Sequence, residues 1–228
     1  MNAATLKERE MLNTPTPVRE SSPSDAIALQ KRLAAKVIRK STLKLPATVA
    51  GVDTGYSNGM ARAAVVNLKY PSLEPAGHAV SSGRVDFPYI PGLLSLREGP
   101  VILEALAKLT PAPDLLIVDG HGIAHPRRFG LACHIGLLAD IPSIGCAKTK
   151  LLGAYDELGP ERGSFSYLID QGEIIGAVLR TRSNVKPVFV SIGHKVNLKE
   201  CIEFVLNCCR GYRLPETTRR ADRLSADG

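Results

Sequence analysis

The chain has 228 residues, enough for a domain with a substantial core, and 44% of them are apolar. Twenty-nine Lys and Arg against 22 Asp and Glu leave a net charge of +7, a balance that suits a polyanionic partner such as nucleic acid. No stretch is long and apolar enough to span a membrane and no signal-peptide core opens the chain, so membrane and secreted classes are set aside and a cytoplasmic protein is expected.

Residues 1–23 mix charge, Pro, Ser and Thr without periodicity and are expected to be loose, with a single domain over 24–228. The stretch SDAIALQKRLAAKVIRK (24–40) has the apolar spacing of a helix, and its basic face reads as solvated or as a nucleic-acid contact. An apolar run, ATVAGVD (47–53), ends on Asp53. ARAAVVNLKY (61–70) and HAVSSGRVDF (78–87) read as two further strands, and SLREGPVILEALAKL (95–109) as a helix. DLLIVD (114–119) is a fourth strand, ending on Asp119. RFGLACHIGLLADI (128–141) is a second helix and PSIGCAKT (142–149) a fifth strand. GSFSYLID (163–170) and EIIGAVLR (173–180) flank a Gln-Gly turn as a hairpin, PVFVSIG (187–193) is another strand, and NLKECIEFVLNCC (197–209) a closing helix. Neighbouring strands followed by alternating helix and strand describe an α/β fold, a mixed β-sheet flanked by helices. The five cysteines are odd in number and lack a C-x-x-C frame, so reduced, buried thiols are expected.

Two apolar strands thus end on carboxylates. In an open α/β sheet, ligands collect beyond the carboxyl ends of the strands. If the strands are adjacent and parallel, Asp53 and Asp119 repel unless a cation or a shared proton compensates. Oxygen donors beside basic residues favour Mg²⁺ or Mn²⁺ over zinc. Glu98 is the candidate third acid; its alternative is a charge favourable to the start of its helix. Asp53 and Asp119 alternatively serve as strand-end turn residues or N-caps.

His125, in a loop stiffened by Pro126, suits a proton shuttle or a neutral metal ligand. His121 reads as a loop residue bonding backbone. Arg127 and Arg128 suit phosphate or plain solvent. Lys148 faces the same edge if its strand runs parallel, where it can neutralise a phosphate. FPYIPG (87–92) is a stiff loop in which Tyr89 and Ile90 form either a wedge between stacked bases or a turn packing its tyrosine on the core.

Together these segments resemble the endonuclease V (deoxyinosine 3′-endonuclease) family. The matching stretches are GVD (51–53), PYIPG (88–92), REGP (97–100), VDGHGIAHPRRFGLA (118–132), GCAKTKL (145–151) and GYRLPETTRRAD (211–222). The resemblance implies a ribonuclease H-like fold and Mg²⁺-dependent cleavage, with Mn²⁺ as substitute, at the second phosphodiester 3′ to a deaminated adenine. It implies Asp53, Glu98 and Asp119 as metal-binding acids, with Asp222 a further acid near the metal. His125 becomes the catalytic histidine and Lys148 the lysine beside the phosphate. Tyr89 leads the wedge, shaped by Pro88, Ile90 and Pro91, and backbone around Gly92, Leu94, Gly120 and Gly122 forms the base pocket. The implied partner is DNA containing deoxyinosine, bound by a monomer. Inosine-containing RNA is the alternative substrate, and a non-catalytic binder of deaminated nucleic acid the alternative function.

Overall fold

A capping box starts the first helix one residue before the sequence pattern places it. Ser22 Oγ accepts from the Asp25 N–H and the Asp25 carboxylate accepts from the Ser22 N–H, both at 3.2 Å, opening α1 (Pro23–Ala34). The computed structural model describes residues 22–85 and 87–226. Of the segment expected to be loose, 1–21 lies outside the described residues, whereas Ser22 caps α1 and Pro23 is its first residue. The helix was expected to run to Lys40 but ends at a cap on Ala35. Ile38 leaves it because its N–H donates to His194 Nδ1 (3.3 Å) and its carbonyl accepts from the Lys195 N–H (2.7 Å).

β1 (Thr48–Ser57) and β2 (Met60–Lys69) form an antiparallel hairpin across Asn58–Gly59, both at positive φ (48° and 75°) as a two-residue turn demands. β3 (Pro75–Arg84) adds to β2. After α2 (Leu94–Lys108), β4 (Leu115–Val118) pairs in parallel with β1, and after α3 (Leu131–Ala139), β5 (Ser143–Ala147) pairs in parallel with β4. A hairpin of β6 (Phe165–Asp170) and β7 (Glu173–Leu179) turns on Gln171–Gly172. β8 (Val188–His194) then joins β7 to β5, antiparallel to both. The eight-stranded mixed sheet has the order β3-β2-β1-β4-β5-β8-β7-β6. The chain closes with α4 (Leu198–Asn207) and α5 (Glu216–Ala226). No helix among the described residues is long and apolar enough to cross a membrane.

Strand alternation assigns each face. Val49, Leu115, Ile117, Ile144 and Cys146 share a core with Cys201, Ile202 and Val205 of α4 and Ala221 of α5. On the other face Ala50, Val52, Leu116 and Val118 pack against Ile102 and Leu106 of α2 and Leu131 and Ile135 of α3. Each fully buried aliphatic side chain contributes about 1.5–3 kcal/mol, so the sheet centre is the stiffest part available to carry a site. The cysteines are all buried and unpaired.

Two sequence expectations are corrected. Asp53 does not end its strand, because β1 runs on to Ser57 through its pairing with β2. The parallel ladder to β4 does stop at Val52↔Val118, so Asp53 marks the end of that ladder. Nor is 197–209 the closing helix. α5 follows it, burying Thr217, Thr218, Ala221 and Ser225. It lies close on β1 because Gly51 has no side chain: a Cβ there would fall 2.1 Å from the Thr217 carbonyl carbon.

Candidate active site

The face facing α5 extends past the sheet edge with the same parity. Residues 49, 51 and 53 alternate onto one side of β1, 115, 117 and 119 onto the same side, and 144, 146 and 148 likewise. Asp53, Asp119 and Lys148 therefore converge. The Asp119 N–H donates to the Val52 carbonyl at 3.0 Å, locking the two acidic positions side by side. α5 brings the third acid, Asp222. Carboxylate oxygens of Asp53, Asp119 and Asp222 all lie within 4.8 Å of one another. Ser225 Oγ, one turn after Asp222, donates to Asp53 Oδ2 at 2.7 Å.

Lys148 is the cation that offsets this charge. Its Nζ lies 2.7 Å from Asp119 Oδ2 and 3.2 Å from Asp222 Oδ1. Half-burial disfavours its charge, but the two aspartates outweigh that and hold its pKa above the ordinary lysine value. Burial is also the main force on Asp119. It lifts the pKa to about 6 together with repulsion from Asp53, and Lys148 opposes the rise.

Glu98 comes from the opposite side, on the second turn of α2, too deep in the helix for a dipole contact with its first turn. It is buried, and its Oε1 accepts from Tyr56 Oη at 2.7 Å. Burial pushes its pKa up to about 7. The charges of Asp53 and Asp119 add to the rise, while Tyr56 and Arg97 oppose it. Glu98 thus senses both aspartates without belonging to the close trio. Arg97 in turn stacks on Tyr56, 4.6 Å from the ring centre.

The histidine loop serves a different element. The Arg127 N–H donates to His125 Nδ1 (3.2 Å), so Nε2 carries the proton and donates to the Gly92 carbonyl (2.9 Å). Burial, with help from Arg127, depresses the His125 pKa to about 4 and keeps the ring neutral. Both nitrogens are committed to the loop. The arginines are committed too. Arg127 donates to Gln30 Oε1 and to the Gly92 carbonyl, and Arg128 pairs with Asp170 and Glu173 at the β6–β7 turn. These internal bonds occupy both guanidinium groups, so neither side chain is left to plain solvent. Burial likewise lowers the His121 pKa to about 4, and its buried Nδ1 has no hydrogen-bond partner among the described residues.

On the 88–92 loop Pro88, Tyr89 and Pro91 are exposed, Tyr89 to 68%. Ile90 is not part of an exposed pair: it is half-buried and packs with Phe87, Leu93 and Leu96. Among the glycines that the resemblance implies for the base pocket, Gly122 is buried with both backbone groups in use. Its N–H donates to Ser191 Oγ (2.8 Å) and its carbonyl accepts from the Gly130 N–H (3.0 Å). The Gly92 carbonyl is taken by His125 and Arg127. Leu94 and Gly120 are both half-buried.

Sequence reasoning missed Tyr56, Ser225 and Gln30. None stands in an apolar pattern. Ser225 follows the last motif by three residues, and only its position on a helix one turn from Asp222 marks it. The tail arginines are largely engaged as well: Arg210 on the Pro71 carbonyl, Arg213 on the Lys148 and Pro187 carbonyls, and Arg219 and Arg220 on Glu216.

With this geometry in place, comparison with known proteins is specific. A family model for endonuclease V matches residues 31–223. Endonuclease V of Roseiflexus sp. (strain RS-1) is 54% identical over 208 residues, covering 91% of this chain and 94% of that protein. That of Methanothrix thermoacetophila is 53% identical over 203 residues, covering 89% and 90%. The crystal structure of endonuclease V from Streptomyces avermitilis superposes with a TM-score of 0.86 at 43% identity, over 90% of this chain and 92% of that one. Ciona intestinalis endonuclease V was crystallised in complex with a 24mer DNA containing an inosine followed by a ribo-adenosine. It superposes with a TM-score of 0.77 at 28% identity, over 89% and 95%.

Proposed function

The chain belongs to the endonuclease V family and has its ribonuclease H-like fold, and from that premise we propose that it is a repair nuclease acting on deoxyinosine in DNA. In this reading it hydrolyses the second phosphodiester bond 3′ to the lesion and leaves 3′-OH and 5′-phosphate ends. The observation that carries the reading is the meeting of Asp53, Asp119 and Asp222 with Lys148 at one sheet edge. A protein that only binds nucleic acid has no need for three mutually repelling acids.

The donor set fits a hard divalent cation. Its three carboxylates offer oxygen alone, which suits Mg²⁺, with Mn²⁺ as substitute. Burial, and after it the charge of Asp53, raises the Asp119 pKa, and a cation held among the carboxylates would offset both. Asp53, Asp119 and Asp222 would hold the ion, and Glu98 would add a further carboxylate near it from the α2 side. When bound, the ion supplies charge neutralisation at the scissile phosphate and a lowered pKa for an attacking water. Lys148 neutralises the phosphate oxygens beside the acids. His125, which the family resemblance implies as the catalytic histidine, also holds the recognition loop through both ring nitrogens in the unbound fold.

Tyr89 is the wedge that separates the stacked bases. Extrusion costs least at a weak pair, which adds selectivity before the pocket acts. Hypoxanthine carries a carbonyl at C6 and a proton on N1, the reverse of adenine's pattern, and in this reading backbone at Leu94 and Gly120 recognises it.

The test is a nicking assay on end-labelled duplexes differing by a single deoxyinosine, in Mg²⁺ or EDTA. The expected product is a metal-dependent cut at the second bond 3′ to the lesion. A folded protein that binds the inosine duplex in Ca²⁺ but never nicks it in Mg²⁺ sinks the DNA-nuclease reading and leaves inosine-containing RNA as substrate first, and a non-catalytic binder second. Asp119→Ala is expected to abolish nicking in a folded protein, and full Mg²⁺-dependent activity in that variant refutes the assignment. The ribo-adenosine beside inosine in the Ciona complex favours one second reading, inosine-containing RNA as substrate. The same assay on RNA strands separates the two.

A further inference from the structure

The 88–92 loop is fastened by a residue that the family match does not reach, one position before the matched span 31–223. Gln30 lies near the end of α1 and is 1% exposed. Its Nε2 donates to the Gly92 carbonyl at 3.0 Å, and its Oε1 accepts from Arg127 Nε at 2.5 Å. Arg127 Nη2 and His125 Nε2 donate to the same carbonyl, at 2.6 and 2.9 Å. One peptide oxygen, with two lone pairs, therefore gathers three donors from two distant segments. Shifting it breaks several hydrogen bonds together.

Apolar packing repeats the connection independently. Ala26, Ile27 and Leu29 of α1 pack with Phe87, Ile90, Leu93 and Leu96, residues that bracket and interrupt the loop. Gly92 itself is shaped by the clamp. Its φ is +80°, and a Cβ there would fall 2.7 Å from Arg127 Nη2.

We propose that Gln30 and Arg127 are positioning residues for lesion recognition, fixing through the Gly92 carbonyl the platform from which Tyr89 enters the duplex. The proposal rests on the reading of Tyr89 as the wedge. A wedge discriminates a weak pair from a sound one only if its base resists the load of the stack. Without the Gln30 amide, Gly92 keeps two donors and Arg127 Nε loses its acceptor, so the loop yields.

The test substitutes Gln30→Met, which keeps the volume and removes the polar atoms. Two quantities are read: amide hydrogen exchange at Tyr89, Ile90, Gly92 and Leu93 in the free protein, and the ratio of affinities for inosine and adenine duplexes in Ca²⁺. Loop exchange is expected to rise while β1 and β4 stay unchanged. The affinity ratio is expected to fall about tenfold, the scale of one hydrogen bond to a polar partner with a charged neighbour. Unchanged loop exchange overturns the proposal, and so does a looser loop with undiminished inosine preference. Should the Met variant melt below the assay temperature, Gln30→Glu is read the same way with the same expectations, since it keeps the Arg127 acceptor and loses the donor to Gly92. A parent protein without inosine preference refutes the proposed function itself, and that is seen before any substitution is made.

Discussion

Gly51→Ala tests whether the close approach of α5 to β1 builds the acidic site. The added Cβ would stand 2.1 Å from the Thr217 carbonyl carbon, 2.2 Å from its oxygen and 2.5 Å from the Thr218 nitrogen, where ordinary contact begins at 3.4 Å. All three atoms are backbone, so no rotamer change relieves the clash and α5 must back away by on the order of 1 Å. Overpacking of this kind costs about 1–3 kcal/mol, and at about 2–4 °C per kcal/mol for a chain of this size the Tm falls by about 2–12 °C. Asp222 and Ser225 travel with the helix. Displacing one corner of a trio whose oxygens now lie within 4.8 Å is expected to lower the single-turnover nicking rate about 100-fold and to weaken Mg²⁺ half-saturation. Gly83→Ala is the control, because a Cβ there meets nothing within 4 Å, and it should stay within about 0.5 kcal/mol of the parent. Parental Tm, rate and Mg²⁺ dependence in Gly51→Ala would refute the claim that this glycine positions Asp222.

Tyr89→Ala should weaken inosine-duplex affinity by about 1–3 kcal/mol, the worth of one base–aromatic stack, while calorimetric Mg²⁺ binding stays unchanged; undiminished preference for inosine over adenine counts against the wedge. Arg128→Ala should lower the Tm, since it strips partners from Asp170 and Glu173, yet leave the salt dependence of DNA binding as it was. A shallower salt slope would return Arg128 to the phosphate role. For pH, Asp119 and Glu98 in the metal-free fold hold protons to about 6 and about 7, above the values of an unfolded chain. Their contribution to stability is present below about pH 4 and lost as pH rises through 6–7. His121, His125, His134 and His194, lowered to about 4 mainly by burial, act oppositely: their contribution is present above about pH 6.5 and lost as pH falls toward 4. The difference in Tm with and without Mg²⁺ isolates the acids, because the ion must displace their protons, and it should grow from about pH 5 to about pH 8. A constant difference contradicts the placement of the ion among them.

The sheet was legible because its strands announce themselves. Leu115–Val118 and Ser143–Ala147 are short, buried and bounded by turn chemistry, and the turns at Asn58–Gly59 and Gln171–Gly172 demand positive φ. α5 was not legible as an element. It seats Thr217, Thr218, Ala221 and Ser225 against a strand carrying Gly51 and Gly55, so the apolar stripe that marks a helix is replaced by small polar groups that fit only when the partner lacks side chains. Asp222 could therefore be reached only through family resemblance. The partners of the two loop arginines were illegible for the converse reason. A guanidinium looks the same in a sequence whether it waits for a phosphate or already serves Glu173 or Gly92, and the partners lie 35 to 45 residues away.

The acidic edge lies between these extremes. Parity alone places 53 with 49 and 51, 119 with 115 and 117, and 148 with 144 and 146, and all of that is written in three apolar runs. What parity leaves out is direction and adjacency: the same residues scatter if β4 or β5 runs antiparallel. α2 and α3 supply the missing constraint, because a helix between two strands of one sheet returns the chain to the same end: α3 makes β5 parallel to β4, and α2 makes β4 parallel to β3, which two antiparallel pairings have already aligned with β1. Glu98 escapes this rule, since it rides on the crossover helix itself and must reach the edge from the other face. Its tie to Tyr56, the next-but-two residue after Asp53 on β1, is what holds it there, which makes Tyr56→Phe the substitution that separates Glu98 from the trio without touching a carboxylate.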